Sequence, residues 1–135
     1  MSKSLVKSLL ILVLGGFIST AAIAQRGPQG NSANLEAAKT IADIVASLNH
    51  FPSDADKAAL SEISGNAAVA DALKAMASAV SNISHGATDE GKAAMARIQA
   101  NDQAPDRAKQ LAGIIANLNH TAGEEAKATL ANLFP

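Results

Sequence analysis

The stretch "SLNHFPSDADKAAL", Ser47 to Leu60, decides how this chain is read, because it returns twice. It comes back as "NISHGATDEGKAAM" at 82–95 and as "NLNHTAGEEAKATL" at 117–130, each copy 35 residues after the last. Working outward, the register holds without insertion or deletion over three units, 31–65, 66–100 and 101–135. Six columns are identical in all three: Asn31/Asn66/Asn101, Lys39/Lys74/Lys109, Ala42/Ala77/Ala112, His50/His85/His120, Lys57/Lys92/Lys127 and Ala58/Ala93/Ala128. Self-similarity at a period of 20–50 residues marks stacked supersecondary units.

Each unit reads as a helical hairpin. Ile41, Ile44, Val45 and Leu48 recur at i, i+3, i+4 and i+7, which makes one apolar stripe on a helix. Leu111, Ile114, Ile115 and Leu118 repeat the stripe, and Met76, Ala79, Val80 and Ile83 weaken it. The first helix is expected to stop at the Asn-His or Ser-His pair. Ser53, Thr88 and Gly123 then fall at an N-cap position, each followed by acids that suit the positive end of a helix. Ser53 with Asp56 has the form of a capping box. The second helices carry shorter stripes, Leu60/Ile63, Met95/Ile98 and Leu130/Leu133, and Gly65 marks the first exit. An acid stands three residues before every repeated lysine, so six ion pairs of the Asp54–Lys57 and Glu36–Lys39 kind are expected.

The fold class is therefore all-α: three tandem 35-residue hairpins, stacked as a short α-solenoid or closed as a compact six-helix bundle. The period is similar to that of the tetratricopeptide class. The W-x-x-L-G-x-x-Y part of that signature has no counterpart, so the resemblance reaches architecture and stops there. Alanine supplies 28 of the 105 repeat residues, favouring helix and close helix approach over a thick core.

The segment before the repeats has a different character. Lys3 and Lys7, the apolar run 8–19 and Ala22-Ile23-Ala24 have the form of a signal peptide over 1–24, with cleavage before Gln25. An exported chain, periplasmic or extracellular, is expected, with no membrane span after removal. Residues 25–33, rich in Gly, Pro and Gln, read as a flexible leader, and 34–135 as one helical-repeat domain.

From Gln25 onward 9 Lys/Arg face 12 Asp/Glu, and no Trp or Tyr exists. Phosphate recognition needs basic surface and exposed bases favour aromatic faces, so nucleic acid is excluded as a partner. No cysteine is present, so packing alone holds the fold. Ser84, His85, Asp54 and Asp56 supply catalytic residue types without triad spacing, and no enzyme activity, catalytic residue or cofactor is expected. The composition points to a binding or scaffolding module for a protein or peptide, with self-association as another way to cover apolar surface.

The only chemistry-bearing column is His50, His85 and His120, the three histidines of the chain. Imidazole is the commonest metal ligand, so handling of Cu, Zn, Ni or haem is the alternative. Stacked hairpins would hold equivalent residues about 8–10 Å apart, too far for one shared ion. On that geometry each histidine is expected to sit in the last helical turn and bond a terminal carbonyl.

Overall fold

The computed structural model describes residues 26–135, with side chains from residue 31; residues 1–24, whose sequence has the form of a signal peptide, lie outside the described residues. Six helices follow one another: α1 (Arg26–Ser47), α2 (Asp54–Gly65), α3 (Asp71–Ser81), α4 (Asp89–Ala100), α5 (Asp106–Ala116) and α6 (Glu124–Leu133). None of these helices is long and apolar enough to cross a membrane.

The first helices of the three hairpins, α1, α3 and α5, touch one another pairwise. Each second helix fills the groove between two of them. α2 lies against α1 and α3, α4 against α3 and α5, and α6 against α5 and α1. The last contact returns the chain to its beginning, so the hairpins form a closed bundle with approximate threefold symmetry rather than an open stack. The alanine column lies where this closure needs small side chains: Ala42, Ala77 and Ala112 are 2%, 0% and 0% exposed. Ile41, Met76 and Leu111 beside them are fully buried. One core results, and among the described residues it contains no buried polar or charged side chain.

Local chemistry sets the helix limits. Ser53 caps α2 with the full capping box: Ser53 Oγ accepts from the Asp56 N–H at 3.2 Å, and Asp56 Oδ2 accepts from the Ser53 N–H at 2.9 Å. Thr88 Oγ1 accepts from the Gly91 N–H at 3.0 Å, while Gly123 has no side chain to offer α6. At the exits of α1, α3 and α5 one repeat position reaches back to the carbonyl four residues earlier. Ser47 Oγ donates to Asp43 O, Asn82 Nδ2 to Ser78 O and Asn117 Nδ2 to Gly113 O. The repeated asparagines also gain a role here. Asn66 and Asn101 Oδ1 accept from the N–H two residues on, at 2.9 Å, turning the chain into the next hairpin.

Three expectations are corrected. Residues 26–33 are helical, because Pro28 sits in the first turn of α1, where N–H groups have no intrahelical acceptor and proline is tolerated. Of the six acid–lysine pairs only Asp71–Lys74, at 3.7 Å, and Glu124–Lys127, at 2.9 Å, form. Lys39 instead donates to the Pro135 carbonyl at 2.7 Å, across the α1–α6 seam. Ile114 and Leu133 are half-buried, since the ring presents these positions to its margin.

Candidate functional site

The three elbows meet at one pole of the bundle, and their backbones join there. His50 N–H donates to His120 O at 2.6 Å, His85 N–H to His50 O at 2.9 Å, and His120 N–H to His85 O. Each histidine thus gives its N–H to one neighbour and its carbonyl to the other, closing a three-membered cycle between segments 35 residues apart.

A residue that must aim both groups sideways cannot stay in the helical or extended basin. His50, His85 and His120 have φ of 68°, 71° and 65°, and they are the only non-glycine residues with positive φ among the described residues. In two elbows the turn is tighter still. Phe51 N–H donates to Asn49 O at 2.9 Å and Thr121 N–H to Asn119 O at 2.8 Å. An i→i+2 bond around a positive-φ residue makes a γ-turn of the rare, strained kind. In the middle elbow Gly86 lies opposite Leu118; a Cβ there would meet the Leu118 carbonyl at 3.1 Å, so glycine lets the two elbow backbones approach closely.

The side chains follow the backbone. The ring centroids are 5.7 Å apart for His50–His85 and 5.3 Å for both His50–His120 and His85–His120, each pair edge to face. This overturns the expected separation of about 8–10 Å: closure brings equivalent residues onto an axis instead of spacing them along a stack. The carbonyl-capping role is overturned too. The histidines lie three or four residues beyond the helix ends, and no ring bonds a helix carbonyl. His50 Nδ1 pairs with Asn49 Oδ1 at 2.6 Å and His120 Nδ1 with Asn119 Oδ1 at 2.5 Å. An amide oxygen only accepts, so the Nδ1 that faces it is the donor in both rings. His85 follows Ser84 and its ring makes no hydrogen bond, to Ser84, Asp54 or Asp56 included. All three histidines are exposed.

The rim of the pole is acidic. α2, α4 and α6 begin four residues after each histidine, and their first turns hold Asp54 and Asp56, Asp89 and Glu90, Glu124 and Glu125. Lys57, Lys92 and Lys127 stand in the same turns or just behind, leaving the rim net negative. As the rings stand, edge to face, no group of three His, Cys, Asp or Glu among the described residues has its donors placed to hold a metal ion.

The opposite pole is different in kind. A recess of about 390 Å³ opens between the starts of α3 and α5 and the side of α1, lined by Leu35, Leu73, Pro105, Ala108 and Phe134 among others. Leu35 is 55% exposed there. The equivalent residues Leu35, Ala70 and Pro105 are alike only in being apolar, whereas the histidine pole repeats one residue three times. No protein-family model, no curated protein and no solved structure matches the chain.

Proposed function

We propose that this chain is an exported, non-enzymatic binding module whose recognition face is the histidine pole. The observation that carries the reading is the positive φ of His50, His85 and His120. The backbone cycle explains why a left-handed residue is needed at each corner. It does not explain histidine, because glycine occupies that basin without a Cβ penalty and asparagine at less cost. Strained residues kept at one solvent-facing spot are a mark of functional surfaces. Export is supported by the basic, apolar and Ala-x-Ala segments of residues 1–24, and the excess of acidic over basic residues from Gln25 onward argues for a partner other than nucleic acid.

The test uses the chain as bait in crosslinking pull-downs from the exported fraction, against a variant with His50→Asn, His85→Asn and His120→Asn. Asparagine tolerates the left-handed basin, so the fold is kept while the imidazoles are lost. Ligands retained by the parent and lost by the variant support the reading; identical capture by both overturns it. A second reading, docking of an apolar peptide at the opposite pole, is favoured by the recess and the exposed Leu35. It predicts that Leu35→Asp, not the histidine changes, abolishes capture.

A further inference from the structure

We infer that the three imidazoles of the pole form a single site for a divalent transition-metal ion of the Zn²⁺ or Cu²⁺ class, bound through Nε2. This deepens the reading of the pole as the recognition face and rests on it.

The first support is size. Three centroids 5.7, 5.3 and 5.3 Å apart have a common centre about 3.1 Å from each. An ion at about 2.0–2.1 Å from an imidazole nitrogen stands about 3.2 Å from the ring centroid, once the nitrogen's own distance from the centroid, about 1.1 Å, is added. The triangle therefore has the dimensions of a three-histidine site, although the rings now stand edge to face and their donors do not converge. Rotation about χ2 turns an imidazole nearly in place, because the Cβ–Cγ bond points close to the ring centre. The rings touch one another edge to face, but all three are exposed, as are the Asn49 and Asn119 side chains paired with two of them, so a turning ring carries its amide partner with it.

The second support is the hydrogen-bond pattern. Asn49 and Asn119 set an amide oxygen against Nδ1 of His50 and His120, so Nε2 is the ring nitrogen left for a ligand. Metal-bound histidines are held in this way, with the far nitrogen donating to an oxygen that fixes the tautomer. His85 has no such oxygen and is the adaptable third ligand. The third support is rigidity beneath mobile rings: the three Cα positions are tied by the backbone cycle, which fixes the ligand spacing before any ion arrives. The acidic rim raises the local cation concentration, and a solvent-facing pole leaves the fourth position to water. Imidazole donors without thiolate or a full carboxylate set favour Cu²⁺ and Zn²⁺ over Mg²⁺ or Ca²⁺.

The experiment is isothermal titration of the chain, purified without a histidine tag and stripped with chelator, using Zn²⁺, Cu²⁺ and Ca²⁺. One Zn²⁺ or Cu²⁺ per chain and no Ca²⁺ is the expected result, with nitrogen splitting in the Cu²⁺ electron paramagnetic spectrum. His85→Asn should weaken binding at least about tenfold, and the triple His→Asn variant should take up no stoichiometric ion. Circular dichroism confirms that both are folded, and His85→Gly serves if the asparagine variants are not. No stoichiometric Zn²⁺ or Cu²⁺ on the parent chain, or uptake unchanged in the triple variant, overturns the site. If the titration fails while pull-down still depends on the histidines, only the metal is wrong; if both fail, the pole reading fails with it.

Discussion

Replacing His85 by glycine should stabilise the fold, and the size of the gain can be worked from the backbone. His85 has φ 71°, in the left-handed basin, where an L-residue with a Cβ loses roughly 1–2 kcal/mol. Glycine removes that penalty but brings extra freedom to the unfolded chain, a cost of roughly 0.5–1 kcal/mol. The ring of His85 makes no hydrogen bond, and what glycine removes with it are two edge-to-face contacts at the exposed pole, which the His85→Ala control reads separately. The expected net gain for His85→Gly is about 0–1.5 kcal/mol, the difference between the two terms. His85→Ala is the control, since it removes the imidazole and keeps the Cβ; it should stay within about 0.5 kcal/mol of the parent. Urea denaturation with chelator present reads both, and m must stay constant for the midpoints to be compared. Chelator matters because any bound ion would stabilise the parent by mass action. A His85→Gly variant less stable than the parent by about 1 kcal/mol or more would refute the reasoning. It would show that the imidazole itself holds the pole together, and its left-handed position would then need no function.

Other outcomes follow from the packing and caps. Ala77→Leu places extra methylenes at a fully buried junction of the first helices and should cost about 1–3 kcal/mol in chemical denaturation; an unchanged midpoint would mean that α3 can shift freely. Ser53→Ala removes the capping box of α2 and should cost about 0.5–2 kcal/mol, read the same way. Gly123→Ser supplies the side chain that the equivalent cap lacks, into space with no atom within 4 Å, and should raise the thermal midpoint rather than lower it. Intact-mass measurement on exported protein should find a chain starting at Gln25, without residues 1–24.

The helices and their inward faces were legible because periodicity is a property of consecutive residues. Ile41, Val45 and Leu48 are buried as their spacing requires, and Ser53 and Thr88 cap the helices they precede. Closure was not legible, because a stack and a ring need the same stripe on each hairpin. What selects the ring is carried by main-chain N–H and C=O groups of the elbows, which every residue but proline possesses and no sequence pattern displays. The spacing of the histidines was misjudged for that one reason. The leader was misread because glycine and proline weigh against helix in an interior, whereas Pro28 stands at a helix start. The acid–lysine pairs were over-read because i,i+3 spacing permits contact on an exposed surface without enforcing it. The signal that could have exposed the site was the shared Leu-Asn-His at 48–50 and 118–120: the asparagine before the histidine became its Nδ1 acceptor.

Ring closure also explains why one column of the repeat differs in kind from the rest. In a linear stack, equivalent side chains lie one unit apart and act singly. In a threefold ring they converge at the axis, so a residue placed there once per unit becomes a cluster of three. The axis has two ends. At one, the equivalent positions are Leu35, Ala70 and Pro105, apolar residues of different size and shape around an apolar recess. At the other they are His50, His85 and His120, identical, exposed, and held in a backbone conformation that asparagine or glycine would adopt with less strain. Packing accounts for the first end, since any residues of suitable bulk fill a recess. It does not account for the second, where the three histidines are exposed and other residues would relieve the backbone. The backbone cycle fixes the separation of the three histidine backbones, and the choice of histidine at those corners is the feature on which the proposed recognition role rests.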